Sequence, residues 1–242
     1  AVQDYAGAEL RLVFQSPRTP PRWEGVALRG AARRVLADTR VAGFDPSRYE
    51  VRRLHARADD GEAVPITLVT RRGLRADGRA PLLVYGYGAY GISADPVFSV
   101  PAIALVDRGW AYAIAHVRGG AEKGRRWFLD GRLFSKRNSF TDFIACTDHL
   151  VRQGWGGPGR CVAYSLSAGG LLVGGAMNLR PDRYAGVIAQ VPFVDMLNTM
   201  SDTTHPLVPV FRADWGDPLA DPRAYDYLAS ISPYENVAPA AY

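Results

Sequence analysis

Apolar and polar side chains alternate over residues 9–15, Glu-Leu-Arg-Leu-Val-Phe-Gln, the period-two pattern of a half-buried strand. A Pro-rich break follows at 16–22, and short strands are predicted near 23–28 and 32–37. This stretch is too short to build its own core and reads as the end of a larger β domain, with a boundary in the turn-rich segment 41–46. From residue 49 the pattern changes. Strands are predicted over 49–56 and 64–70, joined by a turn at 58–62, and a polar loop over 71–80 leads to the short apolar run 81–85, the kind buried on both faces of a sheet. A helix over 100–108 is closed by Gly109, and another buried strand covers 110–117. Residues 139–153 place Phe140, Phe143, Ile144, Thr147, Leu150 and Val151 on one helical face, with Gly154 as the stop. Strands over 161–164 and 184–191 flank an Ala/Leu/Val/Gly helix. This alternation predicts an α/β domain over 41–242 with a mostly parallel sheet and helices on both faces, preceded by the β segment 1–40. No internal repeat or low-complexity tract interrupts it.

The run 161–176 carries the first candidate chemistry. A short strand ends in Ser165-Leu166-Ser167-Ala168-Gly169 and continues into an apolar helix. A nucleophile elbow places its Ser at the strained apex of such a strand–turn–helix unit, flanked by small residues because the backbone folds back on itself. Ser167 is the candidate nucleophile. The usual first glycine is Ser165 here, whose Cβ predicts added strain in the turn. A buried strand and helix joined by a plain Ser/Gly loop fits the same five residues.

Two further motifs stand at strand ends, where open α/β sheets place their ligands. Tyr85-Gly86-Tyr87-Gly88-Ala89-Tyr90-Gly91 offers backbone freedom and hydroxyl donors, or a packing turn. Its glycines at 86, 88 and 91 superficially resemble a phosphate-cradling loop, but on their own they are a weak sign of a nucleotide site. His116-Val117-Arg118-Gly119-Gly120 is the other.

Hydrophobic content of 48% with 22% charged residues suits a globular protein rather than a disordered one. The net charge is +5, but its Lys and Arg are scattered rather than gathered into a stripe, which argues against nucleic-acid binding. No apolar run approaches the roughly 20 residues needed to span a bilayer. Residues 1–4 lack the features of a signal peptide, and the absence of an initiator Met predicts a chain that begins within a protein or after processing. Cys146 and Cys161 sit in apolar surroundings without metal-ligand spacing, which predicts buried free thiols and a cytoplasmic setting. No ligand cluster implies a metal or organic cofactor.

Taken together, residues 83–88 (Leu-Val-Tyr-Gly-Tyr-Gly), 115–120 (Ala-His-Val-Arg-Gly-Gly), 138–143 (Asn-Ser-Phe-Thr-Asp-Phe), 167–170 (Ser-Ala-Gly-Gly), 189–195 (Ala-Gln-Val-Pro-Phe-Val-Asp) and 232–237 (Ser-Pro-Tyr-Glu-Asn-Val) resemble the prolyl oligopeptidase family of serine peptidases, most of all its oligopeptidase B branch. The resemblance runs in order from residue 49 to 242. It implies an α/β-hydrolase fold, with residues 1–40 as the end of the β-propeller that admits only short peptides to the active site. It implies Ser167 as nucleophile, with the Tyr87 hydroxyl and the Ala168 backbone N–H as the oxyanion hole. In this fold the acid and the base follow the Ser, and the family's Asp and His would lie beyond residue 242. Of the four histidines, His55, His116 and His149 precede Ser167, and neither His205 nor Asp195 occupies the family's triad positions. Asp95, Tyr90, Phe211 and Asp214 are implied to line the substrate site. The branch cleaves after Arg or Lys using a pair of carboxylates, but those positions fall on Phe211 and Ala213, so an apolar pocket is the competing expectation. An esterase or acyl-peptide hydrolase on the same fold, or an inactive remnant, are the alternatives.

Overall fold

The computed structural model describes residues 6–30 and 32–240; the four residues read for a signal peptide and the last two of the chain lie outside them. Three amino-terminal strands, β1 (Glu9–Ser16), β2 (Thr19–Ala27) and β3 (Arg33–Asp38), form an antiparallel sheet in that order. The expected break at 16–22 is confined to a tight turn at Pro17 and Arg18, and Pro20 and Pro21 lie inside β2. They are tolerated because the β1–β2 register shifts between Phe14 and Ser16, and because they lie beyond Arg22, where the β2–β3 pairing ends. A proline without an N–H is admitted at such bulges and ends. Leu10, Val13, Phe14, Trp23 and Val35 all remain exposed, so this sheet buries no core of its own.

The second sheet has six strands: β4 (Tyr49–Arg57), β5 (Ala63–Arg71), β6 (Leu82–Tyr85), β7 (Ala111–Ala115), β8 (Cys161–Leu166) and β9 (Gly186–Gln190), in the order β4-β5-β7-β6-β8-β9. The sheet is mostly parallel, with antiparallel pairings on one side. β4 and β5 are a hairpin, and β5 pairs antiparallel with β7, while β7, β6, β8 and β9 run parallel. A five-residue turn joins β4 to β5 without a crossover helix, which dictates the antiparallel pair. Tyr184 lies just before β9 and packs on Phe143.

Helices cover both faces. On one side α1 (Val100–Asp107) packs Ile103 and Val106 with Tyr49 and Val69. A second helix, α2 (Arg125–Leu129), buries Trp127. On the other side α3 (Arg137–Arg152) and α4 (Gly169–Leu179) pack Phe140, Phe143, Leu150, Leu171 and Leu172 onto Ile66, Leu68, Leu82 and Val84. Every residue of α4 from Gly169 to Ala176 is buried, as an all-apolar helix requires. Three helices that the pattern did not reveal close the chain: α5 (Met196–Ser201), α6 (Val208–Trp215) and α7 (Pro222–Ile231). Asp195 caps α5, accepting from the Asn198 N–H.

A buried ion pair fixes the strand ends that carry the loops. Arg118 meets Asp142 of α3 with two guanidinium nitrogens, and Asp142 also accepts the Arg118 backbone N–H at 3.0 Å. Asp60, in the β4–β5 turn, takes the remaining guanidinium edge.

Candidate active site

β8 delivers Ser167 to the carboxyl end of the sheet. Ser167 is the only exposed residue between Cys161 and Asn178, and its φ is +53°. A side chain with a Cβ enters that left-handed region at a cost of roughly 1–2 kcal/mol and stays there only when its surroundings hold it. Here they do: the Ser167 N–H donates to Gln190 O at 2.9 Å, and its carbonyl accepts from the N–H groups of Gly170 (2.8 Å) and Phe193 (2.9 Å). Tyr90 (φ +59°) and Val191 (φ +41°), after the carboxyl ends of β6 and β9, share this rare conformation, as does Leu133 (φ +47°) just before α3.

The strain expected at Ser165 is absent. Ser165 is a strand residue without a left-handed φ, it is fully buried, and its hydroxyl donates to Gly86 O at 2.6 Å. The space it needs comes from Gly169, where any side chain would collide with Ser165 Oγ.

The Tyr87 hydroxyl lies near Ser167, whose side chain acts on it. Burial raises the Tyr87 phenol above its ordinary value and the Ser167 contact acts the other way, so at neutral pH it is a protonated donor. Ala168 caps the amino end of α4, where the helix dipole favours negative charge, and among the described residues its N–H meets no protein acceptor. An exposed hydroxyl, a phenol beside it and an unspent N–H make a nucleophile with two oxyanion donors.

Beside them stands an aromatic wall. Tyr90 stacks on Phe211 (5.7 Å between centroids, 26°) and meets Trp215 edge-on (5.5 Å, 79°), while its hydroxyl accepts from Trp215 Nε1 at 3.1 Å. Phe193 joins through Phe211 and Trp215. Burial pushes the Tyr90 phenol up to about 12. Trp215 and Phe193 were not singled out from sequence; Trp215 lies 125 positions from Tyr90, and no local periodicity links them.

Two expected substrate residues are placed differently. Asp95 is exposed and lines a separate depression of about 400 Å³ with Tyr85, Tyr112, Tyr164 and Leu166. Asp214 turns inward. Its Oδ1 is buried without a hydrogen-bond partner, burial raises its carboxyl above the usual range, and the charges of Arg132 and Lys136 act in the opposite direction. Ala213 is exposed and carries no charge.

None of the four histidines hydrogen-bonds Ser167. His55 lies on β4, four strands and roughly 19 Å of sheet from β8. His116 is buried, its Nε2 bonded to Thr67 Oγ1 at 2.8 Å. His149 lies on α3, and His205 Nδ1 accepts from the Leu207 N–H.

Residues 96–242 match the family model described as the prolyl oligopeptidase family. The chain belongs to that family. It is 44% identical over 234 residues to dipeptidyl aminopeptidase BI of Pseudoxanthomonas mexicana and 39% identical over 236 residues to protease 2 of Moraxella lacunata, covering 96% and 97% of this chain but 32% and 34% of those proteins. Oligopeptidase B from Leishmania major superimposes with a TM-score of 0.92 at 39% identity, over 97% of this chain and 33% of that one. Oligopeptidase B from Trypanosoma brucei with covalently bound antipain also gives 0.92, at 42% identity. The chain thus spans about a third of the length of the prolyl oligopeptidase relatives it matches, and within that third it has their hydrolase fold.

Proposed function

We propose that this chain is the nucleophile-bearing part of a serine oligopeptidase that hydrolyses short peptides. The observation that carries the reading is Ser167: the only exposed residue from Cys161 to Asn178, held at φ +53° with Tyr87 beside it. Ser167 Oγ attacks the scissile carbonyl, and its proton passes to a histidine oriented by a carboxylate. That pair comes from the part of the protein outside this chain. The tetrahedral oxyanion takes hydrogen bonds from Tyr87 and from the Ala168 N–H, each worth roughly 3–4 kcal/mol in the transition state.

The P1 side chain lies against Tyr90, Phe211, Trp215 and Phe193. With Phe211 and Ala213 uncharged and Asp214 Oδ1 buried, none of these aromatic side chains pairs with a guanidinium, which favours an apolar P1 residue over Arg or Lys. Residues 6–40 fit the end of a propeller from the same protein, because their apolar side chains are left uncovered. Two buried, unpaired thiols accord with a cytoplasmic location.

The test is hydrolysis by the full-length protein of blocked peptides that differ only at P1, set beside short p-nitrophenyl esters. Ser167-dependent turnover of peptides supports the oligopeptidase reading, and turnover of esters alone supports the esterase.

A further inference from the structure

We propose that Lys136 is a positioning residue for the oxyanion hole, holding the Gly88 carbonyl and through it the loop that presents Tyr87. This rests on the reading of Ser167 and Tyr87 given above. The Lys136 side chain is 1% exposed, although its ammonium belongs to a residue type almost never buried unpaired. Its Nζ donates to Gly88 O, to Gly131 O at 3.1 Å and to Ser139 Oγ at 3.0 Å. An ammonium has three N–H donors, and three acceptors from three different segments use them all. The same Nζ lies 5.4 Å from the centre of the Trp215 ring, in the wall proposed for P1.

The Gly88 carbonyl has little freedom to find another partner. Gly88 has φ +68°, a Cβ there would lie 2.6 Å from Val117 Cγ2, and its carbonyl is packed so closely on Gly119 that a side chain at 119 would strike it. Gly91 closes the loop by donating to Gly119 O at 2.9 Å. Lys136 is thus the cation that bonds the base of a loop whose backbone is otherwise shaped by glycines. A hydrophobic core would not need a charge here, and a plain ion pair would place a carboxylate on it; Asp214 and Asp142 act on the ammonium only through space. Arg132 and Arg118 face the same region from the 131–132 turn and the end of β7. Burial brings the ammonium down to about 7, with Asp214 and Asp142 opposing the drop. A neutral amine keeps only two N–H donors, so one of the three segments is released when the proton leaves.

The test compares Lys136→Met with the wild type in the full-length protein, by two measurements. Amide hydrogen exchange read by mass spectrometry needs no activity. We expect the peptide covering residues 86–91 to exchange at least about tenfold faster in Lys136→Met while β8 keeps its protection. The second measurement is kinetic. A donor displaced by about 1 Å can lower the rate roughly a hundredfold, so kcat should fall by that order with KM nearly constant. In a Tyr87→Phe background the same change should cost less than about threefold, since the donor it positions is already gone. Unchanged exchange at 86–91, or an equal kcat loss in both backgrounds, overturns the proposal. If the wild type shows no Ser167-dependent hydrolysis, the peptidase reading fails and the exchange measurement alone decides whether Lys136 holds the loop. Should Lys136→Met fail to fold, Ser139→Ala removes one acceptor and leaves the ammonium, and it should loosen the same loop to a smaller degree; no loosening there counts against the role.

Discussion

Ser165 donates its hydroxyl to the Gly86 carbonyl at 2.6 Å, joining β8, which leads into Ser167, to the loop that carries Tyr87. The residue that looked like a flaw in the elbow is a tie between nucleophile and oxyanion donor. Ser165→Ala leaves a buried carbonyl without this donor, and loss of a buried hydrogen bond costs about 1–3 kcal/mol. Urea unfolding should register that loss. Ser165→Gly should cost more, since it removes the same bond and adds backbone freedom to a strand.

Removing the phenol while keeping the ring isolates its part in catalysis. Tyr87→Phe in the full-length protein is expected to lower kcat by roughly 10²–10³ with little change in KM, the size found when one oxyanion donor is deleted. Equal kcat in the two proteins would remove Tyr87 from the hole.

The P1 wall makes a directional prediction. Peptides with an apolar P1 residue should be cleaved faster than those with Arg, and Phe211→Glu combined with Ala213→Glu should reverse the order. One charge-assisted hydrogen bond is worth about 1.5–3 kcal/mol, roughly 10- to 100-fold in kcat/KM for the Arg substrate. A wild-type preference for Arg would show that the cation is held by groups other than these two positions.

Arg118 and Asp142 are both buried, and removing one leaves the other charge uncompensated. Arg118→Met should therefore destabilise the fold by about 3–5 kcal/mol in denaturant unfolding. The double variant Arg118→Met with Asp142→Leu should recover part of that loss, because the unpaired carboxylate is gone.

Lys136 gives stability a pH dependence whose sign can be worked out. The native chain releases its proton near pH 7, whereas the unfolded chain holds it until about 10.4. Between those values the unfolded state binds more protons, so this group makes stability rise with pH. Cys146 and Cys161, whose thiols are raised by burial, act in the opposite direction above about pH 8.5. The difference in urea midpoint between wild type and Lys136→Met is the informative quantity, and it should grow in favour of the wild type from pH 7 to 9. A constant difference would mean that Lys136 does not titrate in this range.

Much of the hydrolase sheet was legible because its strands and the α3 stripe repeat at the periods that burial imposes, and the elbow because small residues must flank a strained Ser. The antiparallel hairpin at 49–71 was visible as two strands and a turn, but its direction depends on pairing with β7, which no local pattern carries. The helices after residue 195 were missed because α6 begins at Val208 with Pro209 next to it, and a Pro at the first turn reads as a loop when its neighbours are mixed. Asp214 stood out as a substrate ligand because it lies next to the acidic positions that the resemblance places at 211 and 213, yet its carboxyl is partly buried, under the charges of Arg132 and Lys136 some 80 residues earlier. The tie from Ser165 to Gly86 spans 79 positions and was invisible for the same reason.

The most direct test of the central claim is the site of covalent labelling by a fluorophosphonate in the full-length protein, read by peptide mass spectrometry. Modification of Ser167 alone, at one equivalent and with parallel loss of peptide hydrolysis, is the predicted result. Hydrolysis that survives Ser167→Ala, or a label on another residue, would contradict it.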